Sequence, residues 1–433
     1  MKPRVILRAC DDYELAKLRD IIATSIDELG IEPSGRVFIK PNVVTASRRY
    51  IQHSYTHPLV VEAMLEVLKQ HRTDHVVVGE SGGYGVPSRL FLKEAGYFDL
   101  GRRQNVDVID LNEHAVDRVK LTRAVCHEEV MLPRAIGRAD FKIWMPKLKY
   151  HIFAHITNAL KLNIGILTHE ERMLFHDHRI HEKIVDLLEP GHPDLIVSDA
   201  IDITYGYESA PYPVRLGALL ISNDPLAVDV VAATIMGYDA KDVRHLRIAH
   251  ERGYGSLDLE DISVEGDIGI DELRSRPKGN SRLFQHLDEL DTPIRFFAGV
   301  VPGTDIVCDG GCEAAIKGCL GTIEKRAPGS LKRARPGALV HGVYAGDVVV
   351  PDGPAVLVGD CTEVRGRLEA KTVKRIKGCP IGTMKLFFDV PRSFGLPTPL
   401  TDPRDGTKFV YNSLARQIHR ARNRISERRR ASS

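Results

Sequence analysis

Short apolar runs recur through the first half of the chain, and most lead into a segment whose apolar positions fall three and four apart. Val37-Phe-Ile-Lys40 and His75-Val-Val-Val78 have the length and β-branched content of buried strands. Between them Val61, Met64, Leu65 and Leu68 repeat at helical spacing after Thr56-His57-Pro58, with Thr56 positioned as the cap. A second helix from Ser88 and a strand over 106–111 continue the alternation. Further strands are predicted over 141–145, 194–199 and 216–222, with a helix over 156–167. Asp224-Pro225 reads as cap and first residue of a helix through Val228, Val231, Ala232 and Ile235. This alternation predicts an α/β fold, a largely parallel sheet flanked by helices.

The pattern lapses over 266–292, which is polar and without a sustained period. Beyond it, Ala338–Val343 and Ala355–Val358 read as strands of a smaller cysteine-rich α/β unit, and no internal repeat stands out. The expected organisation is an α/β domain over 1–265, a linker over 266–292, a cysteine-containing unit over 293–412 and a basic tail over 413–433. In the tail, Leu414, Ile418, Ala421 and Ile425 would form one apolar stripe on a basic helix. A partly solvated tail that frays after Ile425 is the simplest reading. The alternative is docking on a partner protein, an anionic lipid surface or nucleic acid, and nucleic acid is the least favoured of these.

Composition narrows the class. A chain of 433 residues, 43% apolar and 27% charged, is that of an ordinary globular protein with two or three domains. Its net charge of +2 conceals the tail's local +6, from seven arginines against one glutamate. No run approaches the ~20 apolar residues of a membrane span, and the opening Met1-Lys-Pro-Arg-Val-Ile-Leu-Arg has no long apolar core. The cytoplasm is the expected compartment, where grouped cysteines favour metal over structural disulfides.

Five of the seven cysteines fall between Cys308 and Cys379: Cys308, Cys312, Cys319, Cys361 and Cys379, most of them beside glycine. Glycine lets backbone fold tightly round an ion or cluster and leaves amides free to face sulfur. The spacing C-x3-C-x6-C, then C-x17-C, matches neither bacterial ferredoxin runs nor paired zinc knuckles, so the ligands must converge from separate loops. Four thiolates complete an iron–sulfur cluster, 4Fe-4S or 2Fe-2S, or a structural zinc; the fifth is spare, and Cys308 or Cys312 is the favoured candidate for it. Gly378-Cys379-Pro380 tips the choice from zinc towards iron. Cys10 and Cys126 read as packing residues.

A second set is cationic. Pro146-Lys147-Leu-Lys149-Tyr-His151, followed by Asn158 and Lys161, stands at the carboxyl end of a predicted strand, where open α/β sheets bind ligands. Lys40 and Asn42 follow an earlier strand and can join the same rim. Such groups suit an anionic small molecule. Seven of the eighteen histidines lie between His151 and His192; His151 and His155, four apart, would share a helix face. His151 or His176 is the candidate proton carrier, and Asp199, at a strand end, the candidate base or divalent-metal ligand.

Lys40-Pro-Asn42, Thr56-His57-Pro58, the stretch from Val76 to Gly83, Pro146–His151, Thr157–Lys161, His176, Asp186, Pro193–Ala200 and Ser222–Asp229 together resemble the domain-of-unknown-function family 362, over roughly residues 35 to 240. The resemblance implies an iron–sulfur protein, frequently with an inserted ferredoxin-like module. That module is missing here, so a pair of 4Fe-4S clusters does not carry over, and the C-terminal cysteines are left to take its place. The leading expectation is a cytoplasmic redox enzyme with one cluster, acting on an anionic small molecule and paired with an electron-transfer protein. The alternatives are a metal or cluster trafficking protein that docks on a client, and a non-redox isomerase or lyase with a structural zinc.

Overall fold

The apolar runs of the first half become strands of one sheet. The computed structural model describes residues 2–49, 53–83, 87–204, 206–209, 213–277, 286–398 and 403–431. They fall into two units, the first of 1–172, 181–281 and 409–433, the second of 173–180 and 282–408.

The main sheet of the first unit has eight strands: β1 Arg4–Ala9, β2 Ser34–Pro41, β3 Arg72–Glu80, β4 Asp107–Asp110, β5 Phe141–Met145, β6 Leu195–Thr204, β7 Pro213–Ser222 and β8 Ser263–Gly266. Their spatial order is β8-β1-β7-β6-β5-β2-β3-β4. Only β7 runs antiparallel to its neighbours; every other pairing is parallel. β6 is buried at every position, as expected of a strand covered on both faces. Helices Leu15–Leu29 and Pro58–Leu68 supply Ile22, Ile26, Val60 and Met64 to a core with Ile39, Val78, Ile143 and Val197. Because β2, β3 and β5 are parallel neighbours, Lys40, Glu80 and the Pro146-Lys147 that follows β5 emerge on one edge.

Several local expectations change. His57 caps the helix from Pro58, its Nδ1 accepting from Leu59 N at 3.2 Å. Thr56 instead ties strands together: its Oγ1 accepts from Asn42 N at 2.9 Å and donates to Met145 O at 2.6 Å. The helix predicted over 156–167 is replaced by a hairpin, Lys149–His151 against His155–Thr157, then short helical turns Ala159–Leu162 and Asn163–Ile166. Tyr150, Ile152, Phe153, Ile156 and Thr157 favour extended backbone. The turn after them starts where Asp229, on the distant helix Pro225–Ile235, accepts from Ala159 N and Leu160 N.

The expected linker is partly structured. Gly266 closes β8 at φ +125°, and a Cβ there would lie 1.9 Å from Leu7 O. Helix Ile270–Ser275 buries Leu273, while 278–285 lie outside the described residues. The basic tail belongs to helix Pro403–Ala431. Arg416 and Arg420 face Glu170, and Asn423 donates to Glu113 O. Leu414 and Ile418 of the predicted stripe are more than half exposed; the side chain of Ile425 lies outside the described residues.

The second unit is a parallel coil. Its strands β9 Ile294–Ala298, β10 Gly337–Tyr344, β11 Val348–Val364 and β12 Leu368–Ile376 all pair in parallel in sequence order. Parallel neighbours ordinarily need a crossover of a dozen residues or more. Here the chain winds instead: Ala338 pairs with Ala355 and Ala355 with Val373, offsets of 17 and 18 residues, and His341, Val358 and Ile376 stack in the same way. Each rung leaves that second stack through a glycine at positive φ, Gly342, Gly359 or Gly378. Ala338, Val340, Val348, Val350, Ala355 and Leu357 pack together as its core. This repeat is structural; small and apolar residues suffice to build it, so it leaves little trace in the sequence.

Asp224 Oδ1 accepts from Ala227 N at 2.8 Å and caps the helix that holds Asp229. Asp224→Ala should lower stability by about 1 kcal/mol, and Asp224→Asn by only a few tenths. Urea unfolding of the full chain checks both.

Candidate functional site

Four predicted substrate lysines divide into two kinds. Lys40 and Lys147 are almost wholly buried and each meets a buried carboxylate at 2.9 Å, Glu80 and Asp199 respectively. Burial lowers the pKa of both ammonium groups, and the paired carboxylates pull back against it. The Lys40 pair is tightly enclosed: a Cβ at Gly165 would lie 2.5 Å from Lys40 Nζ and 2.7 Å from Glu80 Oε1. Asp199 accepts from Tyr13 OH and Ile201 N on Oδ1 and from His57 N on Oδ2, besides pairing with Lys147. So committed, it positions its neighbours; the base expected at this strand end is already occupied. His57 stacks on Tyr13 with ring centroids 3.9 Å apart, and burial lowers its pKa to about 4.

Lys149 and Lys161 differ. Among the described residues no carboxylate lies within salt-bridge distance of either. Lys149 donates to Asn42 Oδ1 at 2.8 Å and Ser54 O at 2.5 Å, so Asn42 serves to hold this lysine. Burial pushes its pKa down to about 7, and that of half-buried Lys161 down to about 8. Glu208 is the carboxylate acting on both. Lys161 Nζ also stands 5.5 Å over the Phe153 ring. Asn158 Oδ1 accepts from Ser198 Oγ at 2.8 Å while its Nδ2 is buried without a partner, and burial raises the nearby Asp229 to about 7.

The histidines do not share one place. His151 and His155 face each other across the hairpin, not along a helix face, and His151 Nδ1 lies 3.4 Å from the N–H donors of Phe153 and Ala154. His176 belongs to the second unit, with Nδ1 2.9 Å from Gly310 O. It therefore stands beside the cysteine turn. Tyr13, His57 and Glu208 have no place in the sequence-predicted site. His57 had a signal in Thr-His-Pro; Tyr13 and Glu208 carry no spacing pattern, because they reach the lysines from loops far apart in sequence.

In the second unit, residues 173–180 pack on the turn Asp309–Glu313. A Cβ at Gly310 would lie 2.6 Å from Asp177 O. Burial pushes the Cys308 thiol up to about 11, with Asp177 and Cys379 adding to it. Burial likewise raises the Cys312 thiol, and the charges of Cys308, Cys361 and Cys379 raise it further. These four sulfurs therefore face one region. Space above them is kept clear by glycine, since a Cβ at Gly311 would lie 2.6 Å from Cys308 Sγ and one at Gly359 would lie 2.7 Å from Cys312 Sγ. Cys319 stands apart, buried in helix Ala314–Arg326 and raised by burial alone. Of the five cysteines, Cys319 is the one set apart, whereas Cys308 and Cys312 group with Cys361 and Cys379. Among the described residues, no group of three or more His, Cys, Asp or Glu side chains could hold a single metal ion, and no helix is long and apolar enough to cross a membrane.

Compared with known proteins, residues 37–234 match the family described as domain of unknown function 362. No curated protein matches. Among solved structures, the chain is similar to the lactate racemase apoprotein from Thermoanaerobacterium thermosaccharolyticum, at 14% identity and TM-score 0.33, over 51% of this chain and 54% of that one. It thus spans about half the length of that protein. It is also similar to a structural-genomics protein from Thermotoga maritima, at 14% identity and TM-score 0.37, over 79% of this chain and 73% of that one.

The depressed Lys149 pKa has a consequence for stability. Above about pH 7 the folded chain holds this amine neutral, whereas the unfolded chain keeps it protonated to about pH 10.4. The unfolded state then binds the extra proton, so this group's contribution rises with pH across that window and is lost as pH falls from about 10.4 to about 7. The stability of wild type relative to Lys149→Met should therefore increase from pH 7 to pH 10 in thermal melts. A difference that does not change with pH would mean an ordinary, charged lysine.

Proposed function

With residues 37–234 belonging to the domain-of-unknown-function family 362, we propose that this chain is an iron–sulfur redox protein acting on a small anionic substrate. Cys308, Cys312, Cys361 and Cys379 would hold one cluster, of the 4Fe-4S type, and the buried lysines of the α/β unit would bind the substrate. The observation that carries this reading is the grouping of Cys308, Cys312, Cys361 and Cys379 closely enough to oppose one another's ionisation, with Gly311 and Gly359 packed directly on the Cys308 and Cys312 sulfurs. Four such thiols suit a polynuclear cluster, in which each sulfur meets its own iron. When bound, such a cluster supplies one-electron transfer or a Lewis acid.

The remaining chemistry belongs to the chain. Lys161 offers a charge to the anion, and its place over Phe153 leaves the ammonium without a paired carboxylate. Lys149 is the better proton carrier than His151, because an amine with a pKa near 7 exchanges its proton at working pH. Lys40 and Lys147, neutralised by their partners, hold the walls. His176 secures the loop 173–180 to the cysteine turn and steadies the cluster's surroundings.

Protein purified without oxygen should be brown and contain about four iron and four sulfide per chain. Serine at any one of positions 308, 312, 361 or 379 should reduce both, while Cys319→Ala should leave them unchanged. A colourless protein with one zinc, or full iron in Cys361→Ser and Cys379→Ser, would overturn the proposal.

A further inference from the structure

We propose that His155, His181 and His245, with Lys161 at their rim, form an oxyanion subsite that takes the carboxylate or phosphoryl group of a small molecule. The inference rests on the anion-binding reading of the neighbouring lysines and deepens it by naming where the charged end lies. None of these three histidines belongs to the predicted site.

His245, on helix Arg244–Glu251, is fully buried, and both of its ring nitrogens lack a hydrogen-bond partner. An unsatisfied buried polar atom is costly, and native proteins keep few of them without a functional reason. The His181 ring is stacked on His245 at 5.9 Å and 18°, and Phe153 stands edge-on to His181 at 6.1 Å. Tyr238 stands edge-on to His155 at 5.0 Å. The aromatic rings supply walls, and His245 supplies the unpartnered N–H.

The charge balance indicates the sign of the ligand. Burial chiefly disfavours protonation of His245, and the groups that act on it, His181, Lys161 and His155, each neutral or cationic, add to that effect. Of the carboxylates on the surrounding elements, Glu182 pairs with Arg244 through Oε1 at 2.7 Å and keeps a buried, unpartnered Oε2, and Glu208 acts on Lys161 and Lys149. An oxyanion accepts from the unpartnered His245 ring and adds negative charge to a group of imidazoles and an ammonium. Its arrival favours the imidazolium, so binding takes up a proton.

Histidine side-chain NMR of the full chain tests this, with inorganic phosphate and acetate as separate probes at pH 6 and pH 8. The expected result is a saturable shift of the His245 and His181 ring signals, with affinity falling by up to about tenfold per pH unit. Saturation by phosphate alone assigns a phosphoryl site, and saturation by acetate a carboxylate site. His245→Gln and His181→Gln should each weaken the better probe. If the wild-type ring signals do not respond to either anion, the subsite is overturned whatever the variants do. Binding lost in Lys149→Met but kept in both histidine variants would overturn the subsite and leave the lysine pocket standing; binding by no form of the protein would overturn both.

Discussion

The structure depends on the cost of removing ammonium groups from water. Lys40 and Lys147 stand at the carboxyl edge of the central strands, where a bare charge is penalised by several kcal/mol even after relaxation. Glu80 and Asp199 make these positions possible, and each brings a framework with it. Glu80 also receives Val43 N and Ser81 N, so it fixes the loops after β2 and β3. Asp199 gathers Tyr13, His57 and Lys147 from three separate segments. Removing one partner from such a pair leaves the other charge buried and alone, at about 3–5 kcal/mol. The edge of the sheet is therefore rigid before any ligand arrives.

That rigidity gives the two unpaired lysines their meaning. Lys149 is buried as deeply as its paired neighbours, but an amide and a carbonyl stand where they have carboxylates. Neutral acceptors solvate an ammonium without compensating its charge, so the equilibrium moves towards the free amine. Lys161 sits over an aromatic face, and burial moves it the same way in milder form. One set of cations has been spent on architecture, and a second, chemically identical set has been left able to respond to proton or anion. Residue type alone does not separate the two.

The second unit shows a different economy of means. Cys361 and Cys379 are eighteen residues apart, and eighteen is also the offset between Ala355 and Val373 on adjacent rungs. The winding of the coil returns the second cysteine to the neighbourhood of the first, so a spacing foreign to ferredoxins and zinc knuckles is the natural one here. The turn Asp309–Glu313 brings Cys308 and Cys312 to the same thiols. Cys319, seven residues beyond Cys312, rotates into the interior of its helix instead.

The alternation of apolar runs and helical periods was enough to read the parallel strands, the helix from Pro225 with its Asp224 cap, and the clustering of lysines at a sheet edge. These follow from local rules: side-chain periodicity, cap chemistry and the direction of strands. Histidine spacing misled over 151–155, because i, i+4 partners on a helix and cross-strand partners in a tight hairpin give the same separation, and Asp229 decided the matter from 70 residues away. Likewise, sequence alone singled out the lysines and the cysteines as groups. Only tertiary structure could decide which lysines are neutralised and which thiol is excluded, because both depend on what a distant segment places within a few ångströms, and desolvation and Coulomb energies are set by that distance.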